Sequence, residues 1–410
     1  MDPAVGAVYF GEFYAGELKR EPSGRYVFTY DRAYLEALQP DIAFTLPRSG
    51  DPYVSGAGLH PFFDNLVSEG WLRNAQARAI KASAEDRFAL LLAFGHDCAG
   101  AVSVRTLGRD EPSTIELGDP LAVAALRSRA SLSGVQPKIL AVSDGKAFRP
   151  ARRDETSHYI AKLPSGALRD IVENEFITTQ TCSALLPNDQ VANVEVASVE
   201  GVEGRALLVE RFDRLRSGAR VHFEEFNQLL GKRSGDDKYD ARYADMAQFI
   251  LGTPGCTPVD LRRLYGRELV CFLTGNTDAH LKNFAMFHAP EGLRLTPAYD
   301  LVAAALYPEY SSLALALGEA RDLPVTDVRP KHIVALGRAH SLAADEILDI
   351  VKRLDARRGP AFKAAKAAAD RADARPLGDQ LLDFMEHRWN GSFASIGQFL
   401  SKKQFDVGER

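Results

Sequence analysis

Between Val5 and Tyr30 the segment "VGAVYFGEFYAGELKREPSGRYVFTY" sets Tyr and Phe among small or polar residues, with Pro-Ser-Gly as a turn. That alternation predicts strands. The period then lengthens. "HPFFDNLVSEGWLRNAQARAI" and "AEDRFALLLAFG" carry apolar residues at helical spacing, and Trp71, Phe62 and Phe63 are expected to be core. A small α+β unit ending near Gly108 follows, with "GRDEPS" as a polar linker.

Beyond Ser113 the texture changes. "PKILAVSDGKAFRP" predicts a hairpin about "SDG", and "HYIAKLP" predicts a strand. "DIVENEFITTQTCSALLP" predicts a helix with Asp170 as its N-cap and Pro187 just past its end. "VANVEVASVEGVEGRALLVERFDR" reads as strand, glycine turn, strand, and Arg211 and Asp213 are placed for a local ion pair of about 0–1 kcal/mol. From "HFEEFNQLLG" onward helical periods dominate, including "PVDLRRLYGRELVCFLTGN" and "ADEILDIVKRLDARR". The Ala-rich "AFKAAKAAADRADA" predicts a solvated helix carrying Lys and Arg. The expected divisions are 1–110, 111–214 and 215–410: a small subdomain, a β-rich lobe with one helix, and a helical lobe, the last two forming a cleft.

Composition narrows the class. Of 410 residues 46% are hydrophobic, enough for substantial cores. Lys plus Arg is 50 and Asp plus Glu is 55, a net charge of −5, which argues against a protein gripping nucleic acid over its whole surface. The cysteines Cys98, Cys182, Cys256 and Cys271 have neither C-x-x-C nor zinc-ligand spacing, so a reducing, cytoplasmic setting is expected. "MDPAVGAVYF" has no secretory pattern, and the apolar run at Phe88 is interrupted by His96 and Asp97, so no membrane association is expected.

The candidate chemistry lies in "GNTDAHLKNF", Gly275 to Phe284, directly after the apolar "LVCFLT". Charged groups at the edge of a core need partners. No G-x-x-x-x-G-K-[ST] is present, and no G-x-G-x-x-G opens a helix after a strand, which weighs against P-loop and dinucleotide chemistry. Phosphoryl transfer of the protein-kinase kind needs a base Asp, an Asn five residues later, a second metal-binding Asp and a strand Lys for the phosphates. Asp278 and Asn283 have that spacing, Asp300 follows in "LTPAYDLV", and Lys162 sits in the strand "HYIAKLP". A carboxylate and an amide oxygen are hard ligands suited to Mg²⁺. His280 and Lys282 are close enough in sequence to tune the base or steady a phosphate.

"SLSGVQPKIL", "IAKLP", "ENEF", "LLVERFDR", "GNTDAHLKNF" and "LTPAYDLV" occur in the order and near the spacing of the HipA-like serine/threonine kinases, which this chain resembles. "HPFFDNLVSEGWLR" and "DCAGAVSV" extend the resemblance into the first subdomain. It implies an α+β, two-lobed protein-kinase-like fold with a β-rich N-lobe, an all-α C-lobe and an additional small N-terminal α+β subdomain. It implies ATP and Mg²⁺ as cofactors, Asp278 as catalytic base with His280 and Lys282 on its loop, and Asn283 and Asp300 as metal ligands. Lys162 would hold phosphates, with Glu173 or Glu175 as its partner. Gly134, Val135, Gln136 and Lys138 would cover the phosphates, the backbones of Glu210 and Phe212 would meet the adenine, and Asp213 would lie beside the ribose. Ser131 or Ser133 would be autophosphorylated. The implied activity is that of a toxin kinase acting on a translation component such as an aminoacyl-tRNA synthetase, glutamyl-type first. A HipB-like DNA-binding antitoxin would be its partner, DNA being reached only through it. An inactive corepressor module and a small-molecule kinase are the alternative readings.

Overall fold

The alternating N-terminal residues form β1 (Val5–Phe10), β2 (Phe13–Arg20) and β3 (Tyr26–Tyr30), joined by β4 (Tyr53–Ser55) and β5 (Val102–Thr106) in one sheet of order β4-β3-β2-β1-β5. The computed structural model describes residues 5–56, 58–106, 136–152 and 155–407, with side chains through Ser401. Helices α1 (Arg32–Glu36), α2 (Pro61–Asn65), α3 (Gly70–Ala79) and α4 (Arg87–Phe94) accompany this sheet. Phe28, Phe62, Phe63, Phe88 and Leu91 fill a shared core, with Trp71 packed against it, as their helical and strand periods predict.

A second sheet contains β6 (Lys138–Ser143), β7 (Phe148–Pro150), β8 (Tyr159–Lys162), β9 (Val194–Ser198) and β10 (Arg205–Glu210), in the order β7-β6-β8-β10-β9. The "SDG" hairpin forms: Ser143 pairs with Phe148, and Asp144 Oδ1 accepts from the amides of Lys146 and Ala147 at 2.8 and 2.9 Å. The helix between β8 and β9, α5 (Ile171–Leu185), belongs elsewhere. The chain divides into two compact units, Met1–Ser165 with Ala197–Asp237, and Gly166–Val196 with Lys238–Arg410. The first sheet, and all of the second but the start of β9, therefore belong to the first unit, which closes with β11 (Phe223–Glu225) and α6 (Phe226–Leu229), and the division does not fall at residue 214.

Inside the first unit lies a network of paired charges. Arg211 donates to Asp213 Oδ1 and Oδ2, each at 3.0 Å, and to Asp97 Oδ2 at 3.1 Å. Arg214 donates to Asp213 Oδ2 at 2.8 Å, to the Cys98 carbonyl at 2.8 Å and to Asp97 Oδ1. The Gly100 amide donates to Asp213 Oδ2 at 2.8 Å. The Arg211–Asp213 pair thus forms, but buried within a network and not as the exposed local pair its spacing suggested. Burial pushes the Asp97 carboxyl upward, but Arg211, Arg214 and Arg220 outweigh it and hold the group well below the usual carboxylate range.

The second unit is mainly helical: α5, α7 (Tyr243–Gly252), α8 (Pro258–Thr274), α9 (Pro330–Ala339), α10 (Ala344–Ala356), α11 (Arg358–Ala372), α12 (Arg375–Arg388) and α13 (Ile396–Val407). It is not purely α: β12 (Ala285–Ala289) and β13 (Gly292–Leu295) form an antiparallel hairpin. Their short apolar runs, "AMFHA" and "GLRL", are too brief for a helical period to decide against a strand. Asp170 does precede α5, but its backbone is left-handed (φ 55°) and its side chain makes no cap hydrogen bond, against the expectation. An N-cap side chain reaches the first-turn amides from an extended backbone, which Asp170 lacks. The Ala-rich α11 is only half solvated. Ala361, Ala365, Ala368, Ala369 and Ala372 are buried on a face that packs against α5, where small side chains permit close approach.

The network yields a prediction. The folded Asp97 carboxyl titrates below its ordinary value of 3.8, so its contribution is fully present above that value and is lost as pH falls through the depressed folded value. Asp97→Ala should cost about 3–5 kcal/mol at pH 7, because it leaves buried guanidinium charge uncompensated. Urea unfolding should show a wild-type advantage that is level from pH 5 to 8 and shrinks in strong acid.

Candidate active site

Helix α8 delivers the candidate loop, Gly275 to Phe284. It starts at Thr257, whose hydroxyl accepts from the Asp260 amide at 3.4 Å, with Pro258 in the first turn. Its C-terminal half, Leu269 to Thr274, is entirely buried, which fixes where the helix ends. Arg267 of α8 is held by Asp189 Oδ2 at 2.7 Å and by the Thr296 carbonyl at 2.7 Å. The helix stops at Gly275, left-handed at φ 73°. A Cβ there would lie 2.9 Å from the Phe384 ring and 3.0 Å from Ala305, so glycine is required both by the turn and by the close packing.

The loop that follows is braced by its own backbone. The Thr277 carbonyl accepts from the Ala314 amide at 2.8 Å, and the His280 amide donates to the Asp278 carbonyl at 2.8 Å. Leu281–Asn283 then form a 3₁₀ turn. His280 Nδ1 accepts from the Lys282 amide at 3.3 Å, and the His280 amide donates to Asn283 Oδ1 at 3.1 Å. His280 therefore acts structurally as the cap of the turn that carries Asn283. Lys282 is 3% exposed, and its carbonyl accepts from the Tyr299 hydroxyl at 2.7 Å. Asp278 is half-buried, and its Oδ1 accepts from the Tyr239 hydroxyl at 3.3 Å.

Asp300 meets this loop from β13 onward. Asn283 Nδ2 donates to Asp300 Oδ2 at 2.5 Å, so two of the residues singled out in the sequence adjoin across 17 positions. Asp300 has a left-handed backbone (φ 57°), unusual outside glycine although Asp tolerates it better than most. It is held there: the Asn276 amide group donates to the Asp300 carbonyl at 3.3 Å. Just beyond, Asn174 of α5 clasps Ala303, donating to its carbonyl at 3.1 Å and accepting from its amide at 2.8 Å. Such strained residues persist where surrounding contacts over-determine them, as at functional sites.

Asn174, Asn276 and Tyr239 were not singled out from sequence. Asn174 lies within "ENEF" and Asn276 within "GNTD", so motif position was the available signal for both. Tyr239 lies in "DDKYD", where nothing in the local pattern marks it. Of the two glutamates weighed on α5, Glu175 is buried and Glu173 half-buried.

In the first unit Lys162, 7% exposed, ends β8 and pairs in register with Lys138 of β6 and Leu207 of β10. Directly opposed residues share a sheet face, and like charges placed so repel unless an anion lies between or beside them. Gln136 donates to the Leu163 carbonyl at 2.8 Å, just past the end of β8. Glu210 ends β10, the Arg211 amide donates to the His158 carbonyl at 2.8 Å, and the Phe212 ring meets Phe223 edge-on at 5.0 Å. The assignment of Asp213 to a ribose is corrected. It is 4% exposed, and its carboxylate is committed to Arg211, Arg214 and the Gly100 amide. Ser131, Ser133, Gly134 and Val135 lie outside the described residues.

A strand-rich unit, a helical unit and a loop whose Asn283 meets Asp300 mark a protein of the kinase-like fold. A chain in the solved Shewanella oneidensis MR-1 complex of HipA, HipB and operator DNA has the same fold, with a TM-score of 0.74, 24% identity, and coverage of 95% of this chain and 99% of that one. A model of the HipA-like C-terminal domain matches residues 130–359, and one of the HipA N-terminal domain matches residues 6–105. The chain belongs to the HipA-like family. The protein named "Putative kinase Y4dM" of Sinorhizobium fredii is 31% identical over 371 residues, 84% of this chain and 87% of that protein. The serine/threonine-protein kinase toxin HipA of Shewanella oneidensis is 28% identical over 351 residues, 77% and 79% of the two chains. Among the described residues no helix is long and apolar enough to cross a membrane.

The loop anchor can be tested directly. Gly275→Ala should destabilise the protein by about 1–2 kcal/mol from backbone strain alone. Crowding against Phe384 and Ala305 should add to this, and a thermal melt should show a transition lowered by several degrees.

Proposed function

We propose that this chain is an ATP- and Mg²⁺-dependent serine/threonine protein kinase that serves as the toxin of a type II toxin–antitoxin module. The observation that carries the reading is the contact of the Asn283 amide with the Asp300 carboxylate, on a loop that presents Asp278 five positions before Asn283. The donor set, one carboxylate and one amide oxygen, suits Mg²⁺, which would be held by Asp300 and Asn283 and would neutralise charge on the phosphates.

Asp278 takes the proton from the acceptor serine or threonine hydroxyl as its oxygen attacks the γ-phosphorus, and ADP leaves. His280 keeps the Asn283 turn in place, and Lys282 belongs to the same loop. Lys162 and Lys138 supply positive charge for the phosphates, with Gln136, Gly134 and Val135 forming the covering loop. The backbones of Glu210 and Phe212 receive the adenine. The acceptor is a translation component, an aminoacyl-tRNA synthetase of glutamyl type being the first candidate; support for it comes from the family resemblance. A HipB-like antitoxin is the partner through which DNA is reached, a reading supported by the likeness to the Shewanella oneidensis chain solved with HipB and operator DNA. Autophosphorylation at Ser131 or Ser133 would add about −1.5 to −2 charge beside a phosphate-binding loop and so silence the enzyme.

Asp278→Ala and Asp300→Ala should each lower ATP-dependent phosphorylation of purified glutamyl-tRNA synthetase by roughly a thousandfold or more, with circular dichroism unchanged. Chelating Mg²⁺ should abolish transfer, and adding it back should restore it. Retention of full activity in either variant would remove these residues from the mechanism. Intact-mass analysis after incubation with Mg-ATP should show added phosphate on the wild type and none on Asp278→Ala.

A further inference from the structure

We infer that Tyr239 is a positioning residue for the catalytic base, an inference that rests on the kinase reading above. Its phenol donates to Asp278 Oδ1 at 3.3 Å. Its ring meets the His280 imidazole edge-on at 5.1 Å and 76°, and the Lys238 ammonium lies 5.2 Å from the ring centroid. The residue is 39% exposed, so it covers the base from the side open to solvent, whereas Lys238 and His280 are buried.

The geometry divides the carboxylate. A general base must present one oxygen to the acceptor hydroxyl at hydrogen-bond distance and in a fixed direction. A carboxylate on a loop rotates unless something holds it. A donor on Oδ1 opposes that rotation and gives the carboxylate a fixed direction toward the acceptor. The ring contact to His280 couples this orientation to the turn that carries Asn283, so base and metal-binding amide keep a common register. Tyr239 itself gains and loses no proton. It acts through Asp278, and its hydroxyl is the working part.

The test compares wild type, Tyr239→Phe, Tyr239→Leu and Asp278→Ala as full-length proteins. Hydrolysis of Mg-ATP, with water as acceptor, and phosphate transfer to glutamyl-tRNA synthetase are both measured. Tyr239→Phe keeps the ring and removes only the hydroxyl. It should lower kcat by about tenfold, part of the roughly 10²–10⁴ that a placed base supplies, while KM for Mg-ATP stays within about twofold and the melting temperature is unchanged. Tyr239→Leu, which also loses the His280 contact, should lower kcat further. A kcat for Tyr239→Phe equal to wild type, with Asp278→Ala inactive, overturns the positioning role and leaves the kinase reading standing. A rise in KM with kcat unchanged also overturns it, since that would make Tyr239 a binding residue. A wild-type protein that turns over no Mg-ATP in either assay overturns the kinase reading, and this inference with it.

Discussion

Charge taken out of water must be matched where it lies, and that constraint organises both units of this protein. In the first unit Asp97, Arg211, Asp213 and Arg214 neutralise one another inside the fold, with the carbonyl of Cys98 and the amide of Gly100 completing the set. Asp97 comes from the segment after α4, and the two arginines come from the segment after β10. Breaking any one partner leaves the others stranded, so the pairing holds the N-terminal sheet to the end of the second sheet. Here the charges specify which surfaces meet, while the apolar clusters supply the burial. The second unit applies the same rule where Asp189 receives Arg263 and Arg267, and where Glu268 faces His340 at 3.1 Å with both side chains fully buried.

The loop from Gly275 to Phe284 is an outcome of that order. Arg267, pinned by Asp189, lies two turns before the end of α8, and the helix terminus is set by Gly275. From there the chain has few choices. His280 caps a 3₁₀ turn, Asn283 leaves that turn toward Asp300, and Asp300 sits in a left-handed conformation secured through Asn276. Asn174, from a helix more than a hundred residues earlier, fixes Ala303 in the segment just after it.

Much of this was legible in the chain. The helical period of α8, the glycine after it and the Asp278–Asn283 spacing all survive into the fold, because each depends on contacts within a few residues. The hairpin about "SDG" survives for the same reason, whereas the aromatic core of the N-terminal sheet joins residues as far apart as Tyr26 and Phe88 and was legible only as apolar periodicity. Most of the readings that changed concerned partners distant in sequence. Asp213 looked like a ligand contact and is an internal counter-ion, because Asp97, Gly100 and the two arginines converge on one place. Asp170 has the right residue type for a cap and the wrong backbone. The alanines of α11 looked solvated and are the close-packing face against α5.

By itself, then, the sequence determined the periods, the turns, the family and the short Asp278–Asn283 spacing, since local sterics and the burial of apolar side chains act over a turn of helix or a pair of strand residues. Tertiary structure alone decided which charges are spent holding the protein together. It also decided that the amide of Asn283 meets Asp300 and that the phenol of Tyr239 reaches Asp278. Electrostatic pairing is a matter of distance in space, and no spacing along the chain reports it.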